Sequence, residues 1–222
     1  MKKYLEINRI AYDELARDYY TRCCNQEKDE TPADAFVEFI LPYVSEDIPY
    51  SEMSVLEIGP GSGKVLSCFS RLGFHTTAIE LSPNMAEISH RQSPQSHIIV
   101  GDANSVKMEM NHFDIIFMGA VLHLFPIRDA EKLLRRVYKW LKPNGILFVN
   151  TTCALSEYEG YYIKHDYGGD KIRFRRFWTE KRFINVLIQN NFVIIRRLYS
   201  TETLREKRWV AAICKKVTSN GR

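Results

Sequence analysis

The hydrophobic residues of this chain follow two patterns, short solid runs and longer stretches with a helical period. The solid runs at 55–58 and 113–118 are typical of strands that are buried on both faces of a parallel sheet. Similar runs predict further strands over 75–81, 97–100, 145–151, 192–198 and 208–215. Helical periodicity predicts helices over 4–25, 64–72, 83–90 and 129–141, of which the third is capped by Ser82. One further helix is expected to open at Thr31-Pro32 and another to be capped by Thr179.

Strands and helices alternate from residue 53 to residue 151, which predicts a doubly wound parallel sheet of the Rossmann-like α/β type. After the fifth strand, segments 161–166 and 171–177 flank Gly168-Gly169, a pattern that predicts a β-hairpin within 155–178. The chain has 222 residues and shows neither internal repeats nor a linker. We therefore expect one domain over 1–222, with residues 1–50 forming an N-terminal helical cap.

A glycine-rich turn, Gly59-Pro60-Gly61-Ser62-Gly63, follows the first strand and precedes a helix. Glycines at such a place let a ligand approach the backbone, and the helix N-terminus favours polar groups. The turn does not fit a phosphate loop, because Ile58 and Val65 replace the required Gly and Ser/Thr. A dinucleotide pattern would need glycine where Lys64 stands. A ligand with an ammonium group, such as S-adenosylmethionine (SAM), suits the carboxylate of Glu57 just before the turn.

Composition and charge limit the classes of protein further. No apolar run approaches the length of about 18 residues that a membrane span requires, and five cysteines without a C-x-x-C pair favour a reducing cytoplasm over a disulfide framework. The net charge of +4 is unevenly distributed, since residues 151–222 carry 15 Lys/Arg against 7 Asp/Glu. Either this basic third favours an anionic substrate or it is a solvated surface.

Four ordered motifs make the chain similar to the class I SAM-dependent methyltransferases, and to their small-molecule type. Glu57 to Gly63 matches the first motif, E-x-G-x-G-x-G, at each fixed position, and Gly101-Asp102-Ala103 resembles the next. Leu122-His123-Leu124 after the fourth strand and Leu141-Lys142-Pro143 before the fifth are further similarities. The resemblance implies a seven-stranded sheet with an antiparallel last strand, and a substrate-cap insertion after the fifth strand.

The resemblance also implies a set of cofactor-binding residues. Glu80, placed 21 residues after Gly59, is expected to accept hydrogen bonds from a ribose diol, and Asp102 from the adenine amino group. The N-terminal helix, through Tyr12 and Tyr19, is expected to lie over the cofactor. The full expected cofactor set is Tyr19, Glu57, Gly59, Gly61, Gly63, Glu80, Leu81, Met85, Asp102, Ala103, Gly119 and Ala120. We expect no metal.

His123 is the candidate catalytic residue, either as a general base or as a hydrogen-bond donor to substrate, with a satisfied core histidine as the alternative. On the hairpin, Arg173 and Arg175 share one face and are expected to bind an anion, whereas the Ile172/Phe174 face is expected to pack on the domain with Arg176 at its margin. The expected substrate set is Tyr12, His123, Tyr161, Tyr162, His165, Arg173 and Arg175.

These features predict methyl transfer to an N, O or C nucleophile of a small, anionic metabolite. An RNA or protein methyltransferase that uses the basic C-terminal third is one alternative, although no RNA-binding motif is present, and an inactive SAM-binding scaffold is another. We expect a small-molecule substrate, neither a nucleic acid nor a membrane as partner, and a monomer or homodimer.

Overall fold

The computed structural model describes residues 1–24, 32–166, 169–202 and 207–217. Within these ranges the helices are α1 (Lys3–Cys24), α2 (Ala33–Ile40), α3 (Lys64–Arg71), α4 (Pro83–Gln92), α5 (Ile127–Trp140) and α6 (Glu180–Gln189). The strands are β1 (Ser54–Ile58), β2 (His75–Glu80), β3 (His97–Val100), β4 (Phe113–Met118), β5 (Leu141–Cys153), β6 (Tyr158–Asp166), β7 (Gly169–Phe177), β8 (Phe192–Glu202) and β9 (Lys207–Lys216).

The described strands form a seven-stranded sheet in the order β3-β2-β1-β4-β5-β9-β8. Strands β1 to β5 pair in parallel, and β9 pairs antiparallel with both β5 and β8. The predicted Rossmann-like fold with an antiparallel last strand is therefore confirmed. The order reverses at β1, so the chain crosses over between β1 and β4, the place where open α/β sheets bind ligands.

The core lies on both faces of this sheet. Alternate residues of β1 point to opposite faces, so that Leu56 belongs to the core cluster that includes residues of α5 and α6, while Val55 belongs to the cluster that includes residues of α2 and α3. Both residues are fully buried. This two-sided burial explains why the parallel strands read as solid apolar runs in the sequence.

Two predicted helix caps are present. The Ser82 hydroxyl accepts a hydrogen bond from the Met85 N–H at 3.1 Å, and the Thr179 hydroxyl accepts one from the Arg182 N–H at 3.2 Å. The boundary around 141–145 differs from the prediction, because β5 begins at Leu141, directly after α5. The Lys-Pro-Asn-Gly segment is an irregularity within the strand, with Asn144 at φ 64° and a register shift against β4.

The predicted hairpin is formed by β6 and β7, which pair antiparallel as a separate two-stranded sheet. Residues 167–168, which include Gly168 of the predicted turn, lie outside the described ranges, as do the side chains of Cys23 and Cys24. One prediction for β7 was wrong: Ile172 is 54% exposed, because it lies toward the tip opposite the exposed Ile163. Phe174 is buried as expected.

Arg176 is also placed differently from the prediction, since it is buried rather than marginal. Its guanidinium donates to Glu159 at 2.7 Å and to Glu157 at 2.6 Å, and it lies 4.5 Å from the centre of the Trp178 ring. Two carboxylates and an aromatic face compensate the charge of this arginine at the base of the hairpin, where a charge without such partners would be costly to bury, although its Nε has no hydrogen-bond partner among the described residues.

Helix α1 forms the N-terminal cap and joins the hairpin to the sheet domain. Asn8 binds the backbone of Phe174 in both directions, accepting from its N–H at 2.8 Å and donating to its carbonyl at 3.4 Å. One turn further along, Asp13 accepts hydrogen bonds from the Ser82 hydroxyl at 2.6 Å and the Asn84 N–H at 3.2 Å. The helix thereby crosses the carboxyl edge of the sheet from β7 to α4. Among the described residues no helix combines the length and apolarity that crossing a membrane requires.

Candidate functional site

A cavity of about 950 Å³ lies at the carboxyl edge of the sheet. Its walls are the loops that follow β1, β2, β3 and β4, together with α1, α2, β7 and the adjoining ends of β8 and β9. The volume is near the upper end of the range of about 300–1,000 Å³ in which small-molecule pockets fall. It is large enough to hold two ligands side by side.

Most of the residues singled out in the sequence meet in the wall of this cavity. They are Tyr12, Tyr19, Glu57, Gly59, Gly61, Glu80, Leu81, Met85, Asp102, Ala103, Gly119, Ala120, His123, Arg173 and Arg175. The structure brings them together from α1, from β7 and from the loops after four strands. Their contacts with ligands remain predictions.

Four of the expected residues lie outside the cavity. Gly63 starts α3 at φ 77°, and a Cβ there would lie 2.8 Å from the Cα of Ser89, so its role is the close packing of α3 on α4. Tyr161 is 46% exposed and packs edge-on against Phe174.

Tyr162 packs against Tyr158 and Phe177, and the His165 ring bonds to the Asp170 carboxylate at 2.6 Å near the hairpin tip. None of these three side chains lines the cavity, so their positions do not support the expected contact with a substrate. The strand pairing satisfies them within the hairpin itself, which the residue pattern alone did not reveal.

The glycine turn has no room for larger side chains. A Cβ on Gly59, at φ 67°, would lie 2.6 Å from a methyl carbon of Val121, and one on Gly61, at φ 56°, would lie 3.2 Å from the Tyr19 hydroxyl. Both glycines are therefore required for their backbone conformation and for close packing. The turn leaves backbone, rather than side chain, facing the cavity.

Glu57 is a buried carboxyl group beside this turn, with 3% of its surface exposed. Its Oε2 atom has no hydrogen-bond partner among the described residues. Burial, and secondarily the nearby Glu80, raise the pKa of Glu57 well above its usual value. A buried acceptor with an unused oxygen fits a cationic donor such as the ammonium group of SAM.

Glu80 ends β2 and is equally buried. Its Oε1 atom accepts the Ser82 N–H at 2.9 Å, but burial is the larger influence and raises the pKa of Glu80 to about 7. Asp102 accepts hydrogen bonds from the Asn104 N–H at 2.9 Å and the Ser105 hydroxyl at 2.7 Å, so it caps its own turn while bordering the cavity. The two carboxyl groups place hydrogen-bond acceptors in the wall of the cavity.

The opposite end of the cavity is basic. The described residues bring four basic side chains to it, Lys164, Arg173, Arg175 and Lys207, with the carboxylate of Glu202 beside Lys207 at 3.7 Å. His123 is buried among them, and its Nδ1 has no hydrogen-bond partner in the described part of the chain. Burial, followed by the charges of Arg175, Lys164, Lys207 and Arg173, lowers the pKa of His123 well below its usual value. The imidazole is therefore neutral.

The sequence reasoning missed Asn150 on β5. Its Oδ1 accepts a hydrogen bond of 2.6 Å from the N–H of Ala120, which adopts the left-handed conformation at φ 57°. This conformation is unfavourable for alanine. The next residue, Val121, packs its side chain against Gly59. A lone amide within the apolar run of β5 was the available signal. Lys164 and Lys207 were also missed, because only the folded hairpin and β9 bring them to His123.

Comparison with known proteins shows what the central part of the chain is similar to. The family model described as a methyltransferase domain matches residues 56–149. Phosphoethanolamine N-methyltransferase of Plasmodium falciparum is 32% identical over 117 residues, which is 50% of this chain and 44% of that protein. Ubiquinone biosynthesis O-methyltransferase of Xylella fastidiosa is 29% identical over 127 residues, 55% of this chain and 51% of the relative. The chain thus spans about half the length of these curated relatives, or less.

A solved structure supports the fold over a larger part of the chain. The Burkholderia thailandensis 1,6-didemethyltoxoflavin-N1-methyltransferase, solved with 1,6-didemethyltoxoflavin and S-adenosylhomocysteine bound, aligns with a TM-score of 0.70. The alignment covers 94% of this chain and 85% of that one at 19% sequence identity. The similarity therefore includes the N-terminal cap and the hairpin region as well as the central sheet.

We predict that Asn150 sets the affinity for S-adenosylhomocysteine by holding Ala120 in place. The variant N150A loses a hydrogen bond worth about 0.5–1.5 kcal/mol, so binding measured by calorimetry is expected to weaken by about 2–15-fold. Adding A120G removes the penalty of the left-handed conformation, and the double variant is expected to regain part of the loss. A double variant that binds more weakly than N150A would contradict this role.

We also predict that S-adenosylhomocysteine binding weakens as the pH falls below about 7, because Glu80 must be ionised to accept two hydroxyl donors. Well below pH 7, the dissociation constant for S-adenosylhomocysteine is expected to rise about tenfold for each unit by which the pH falls. The raised pKa also means that Glu80's contribution to the stability of the free protein is present at low pH and is lost as the pH rises through about 7. Calorimetry between pH 5.5 and 8.5 tests the binding, and E80Q is the control that should flatten the profile; an unchanged slope in E80Q would rule Glu80 out.

Proposed function

Because this chain belongs to the class I SAM-dependent methyltransferases, we propose that it transfers a methyl group from SAM to an N, O or C nucleophile of a small, anionic metabolite. One observation carries the proposal. A glycine cradle with the buried carboxyls of Glu57 and Glu80 opens into the same cavity as neutral His123 and its basic neighbours. When bound, SAM supplies a methyl group that its sulfonium charge already activates.

The carboxyl groups hold the cofactor in this proposal. The unused oxygen of Glu57 accepts the ammonium donor, Glu80 accepts the ribose hydroxyls, and Asp102 accepts the base amino group. Charge-assisted hydrogen bonds of this kind are the strong ones. Gly119 and Ala120, fixed by Asn150, bring backbone close to the reacting end. The protein's main task is then alignment of the nucleophile with the methyl group and exclusion of water.

His123 acts on the acceptor in this proposal. Its neutral ring has an unused Nδ1 atom, which can accept the proton that the nucleophile loses as the new bond forms, or can hold the nucleophile in line. The basic cluster binds the anionic group of the same substrate. Arg175 is already positioned by a hydrogen bond of 2.5 Å to the Thr152 hydroxyl, and Arg173 lies 5.5 Å from the centre of the Tyr12 ring.

The alternative functions receive no specific support. A macromolecular methyltransferase would present its basic residues on an open surface, whereas Arg173 and Arg176 are buried. An inactive SAM-binding scaffold would keep the carboxyl groups around the glycine turn but would have no need for a neutral imidazole beside them in the same cavity. We place the protein in a reducing cytoplasm, since Cys68, Cys153 and Cys214 all carry free thiols.

The function is tested by incubating the protein with methyl-labelled SAM and a fractionated cell extract, then identifying the labelled product. We expect a small anion to be labelled, and H123A to lower its turnover by about 10²–10⁴-fold if deprotonation is needed. The affinity of H123A for S-adenosylhomocysteine is expected to be unchanged. Because the pKa of His123 is well below 6.5, wild-type turnover should show no loss centred near pH 6.5. Label in RNA or protein, or full turnover by H123A, would refute the corresponding part of the proposal.

Once the product is known, R173A and R175A test how the anion is bound. Each removes a hydrogen bond to a charged group, worth about 1.5–3 kcal/mol, and is expected to raise KM by about 10–150-fold with S-adenosylhomocysteine binding unaltered. The matched control is K171A, because Lys171 lies on the same strand but pairs with Glu14 outside the cavity. Equal effects of K171A and R173A, or an uncharged product, would show that the cluster has another role.

A further inference from the structure

Asn8 joins three separate segments of the chain through one buried side chain. Its Oδ1 accepts the Phe174 N–H at 2.8 Å, and its Nδ2 donates to the carbonyls of Phe174 and Leu124, each at 3.4 Å. These bonds connect α1 to β7 and to the loop after β4, across 166 and 116 residues of sequence. With 2% of its surface exposed, Asn8 uses its acceptor and both of its donor hydrogens in these contacts.

One partner of Asn8 is the neighbour of the candidate catalytic residue. Leu124 directly follows His123 in the three-residue 3₁₀ turn Leu122–Leu124. Within the turn, the Leu124 N–H donates to the Val121 carbonyl at 2.9 Å. Such a short turn has little rigidity of its own. The bond from Asn8 to the Leu124 carbonyl therefore helps to fix the direction in which the His123 ring points.

The other partner of Asn8 lies in the cavity wall opposite this turn. Phe174 stands between Arg173 and Arg175, which both line the cavity. The two backbone groups of Phe174 bond to Asn8 along the edge of β7 that does not pair with β6. One amide thus fixes the position of this strand relative to the turn that carries His123, as fully used buried polar groups do.

We propose that Asn8 is a positioning residue for the methyl acceptor, which holds the His123 ring at a fixed place relative to β7. This rests on the proposed function, in which His123 acts on the acceptor. Asn8 acts through the backbone of Leu124, and a displacement of about 1 Å at a catalytic group can lower turnover by about 10²-fold. Cofactor affinity is expected to be retained without the amide, because Asp13 separately binds α1 to Ser82.

The first test follows the His123 ring by nuclear magnetic resonance in the ligand-free protein with isotope-labelled histidine. The chain has six histidines, and the signal of His123 is the one that H123A removes. Its ring lies 6.4 Å from that of Trp209, so ring-current shifts report a displacement. In N8A and N8D the His123 signal is expected to shift or broaden, while the other histidine signals stay in place. N8D keeps an acceptor for the Phe174 N–H, so it tests the loss of the donors alone.

The matched control is N190A. Asn190 is also buried, and its Nδ2 donates to the Val186 carbonyl at 2.7 Å, but this bond lies at the end of α6 and outside the cavity. N190A is expected to lower stability and to leave the His123 signal unchanged. An unchanged His123 signal in folded N8A and N8D, or an equal change in N190A, would overturn the proposal. Failure of both Asn8 variants to fold would also overturn it, because the amide would then serve stability alone.

The second test measures turnover to the labelled product identified above. N8A is expected to lower kcat by up to about 10²-fold in the wild-type background. It should have no further effect in the H123A background, because residues that act through one another are not additive. Equal losses in the two backgrounds would indicate a general structural effect and would overturn the proposal.

The two tests also separate this proposal from the proposed function. If the chain transfers no methyl group, the proposed function fails, and the histidine spectrum still decides whether Asn8 fixes His123. If N8A transfers the methyl group at the full rate, the positioning role fails and the proposed function stands.

Discussion

The burial of two carboxyl groups, Glu57 and Glu80, at the ends of neighbouring strands is the constraint on which the rest of the site depends. Burial removes hydration from both carboxyl groups, and a nearby like charge adds to the effect, Glu80 for Glu57 and Asp13 for Glu80. Both groups therefore resist ionisation in the free protein. The fold tolerates this cost because the β1–β2 register and the glycine turn fix both groups in place. Hydrogen-bond donors from a ligand would offset this cost. A cofactor with a cationic group and two hydroxyls has such donors.

The central sheet and the acidic lining of the cavity could be predicted from sequence because their signals are local. A solid apolar run, a glycine turn and an acid at the next strand end each depend on a few neighbouring residues. The parallel strands are also buried on both faces, so nearly all of their residues are apolar and the run is easily recognised in the sequence. The Ser82 and Thr179 caps belong to the same class, since each depends on a hydroxyl at a helix start.

The substrate end could not be predicted in the same way because it is assembled from distant segments. Alternation along β7 correctly placed Arg173 and Phe174 on opposite faces of the strand. It did not reveal that Arg176 donates hydrogen bonds to Glu157 and Glu159, or that Ile172 is exposed. Lys164 and Lys207 reach His123 from two different sheets. The role of Asn150 depends on the position of β5 beside the loop after β4, where its side chain accepts the Ala120 N–H.

The separation of charge along one cavity has a consequence for the order of events in a catalytic cycle. In the proposed reaction a sulfonium lies close to a substrate anion. The anion offsets the repulsion between the sulfonium and the basic side chains around His123, so each ligand favours the binding of the other. Thermodynamic reciprocity then requires that each ligand tighten the binding of the other by the same factor. Methyl transfer removes the sulfonium charge, and with it the attraction that held the pair. In the proposed reaction the two substrates therefore favour each other's binding, whereas the two products, which lack this attraction, dissociate more readily.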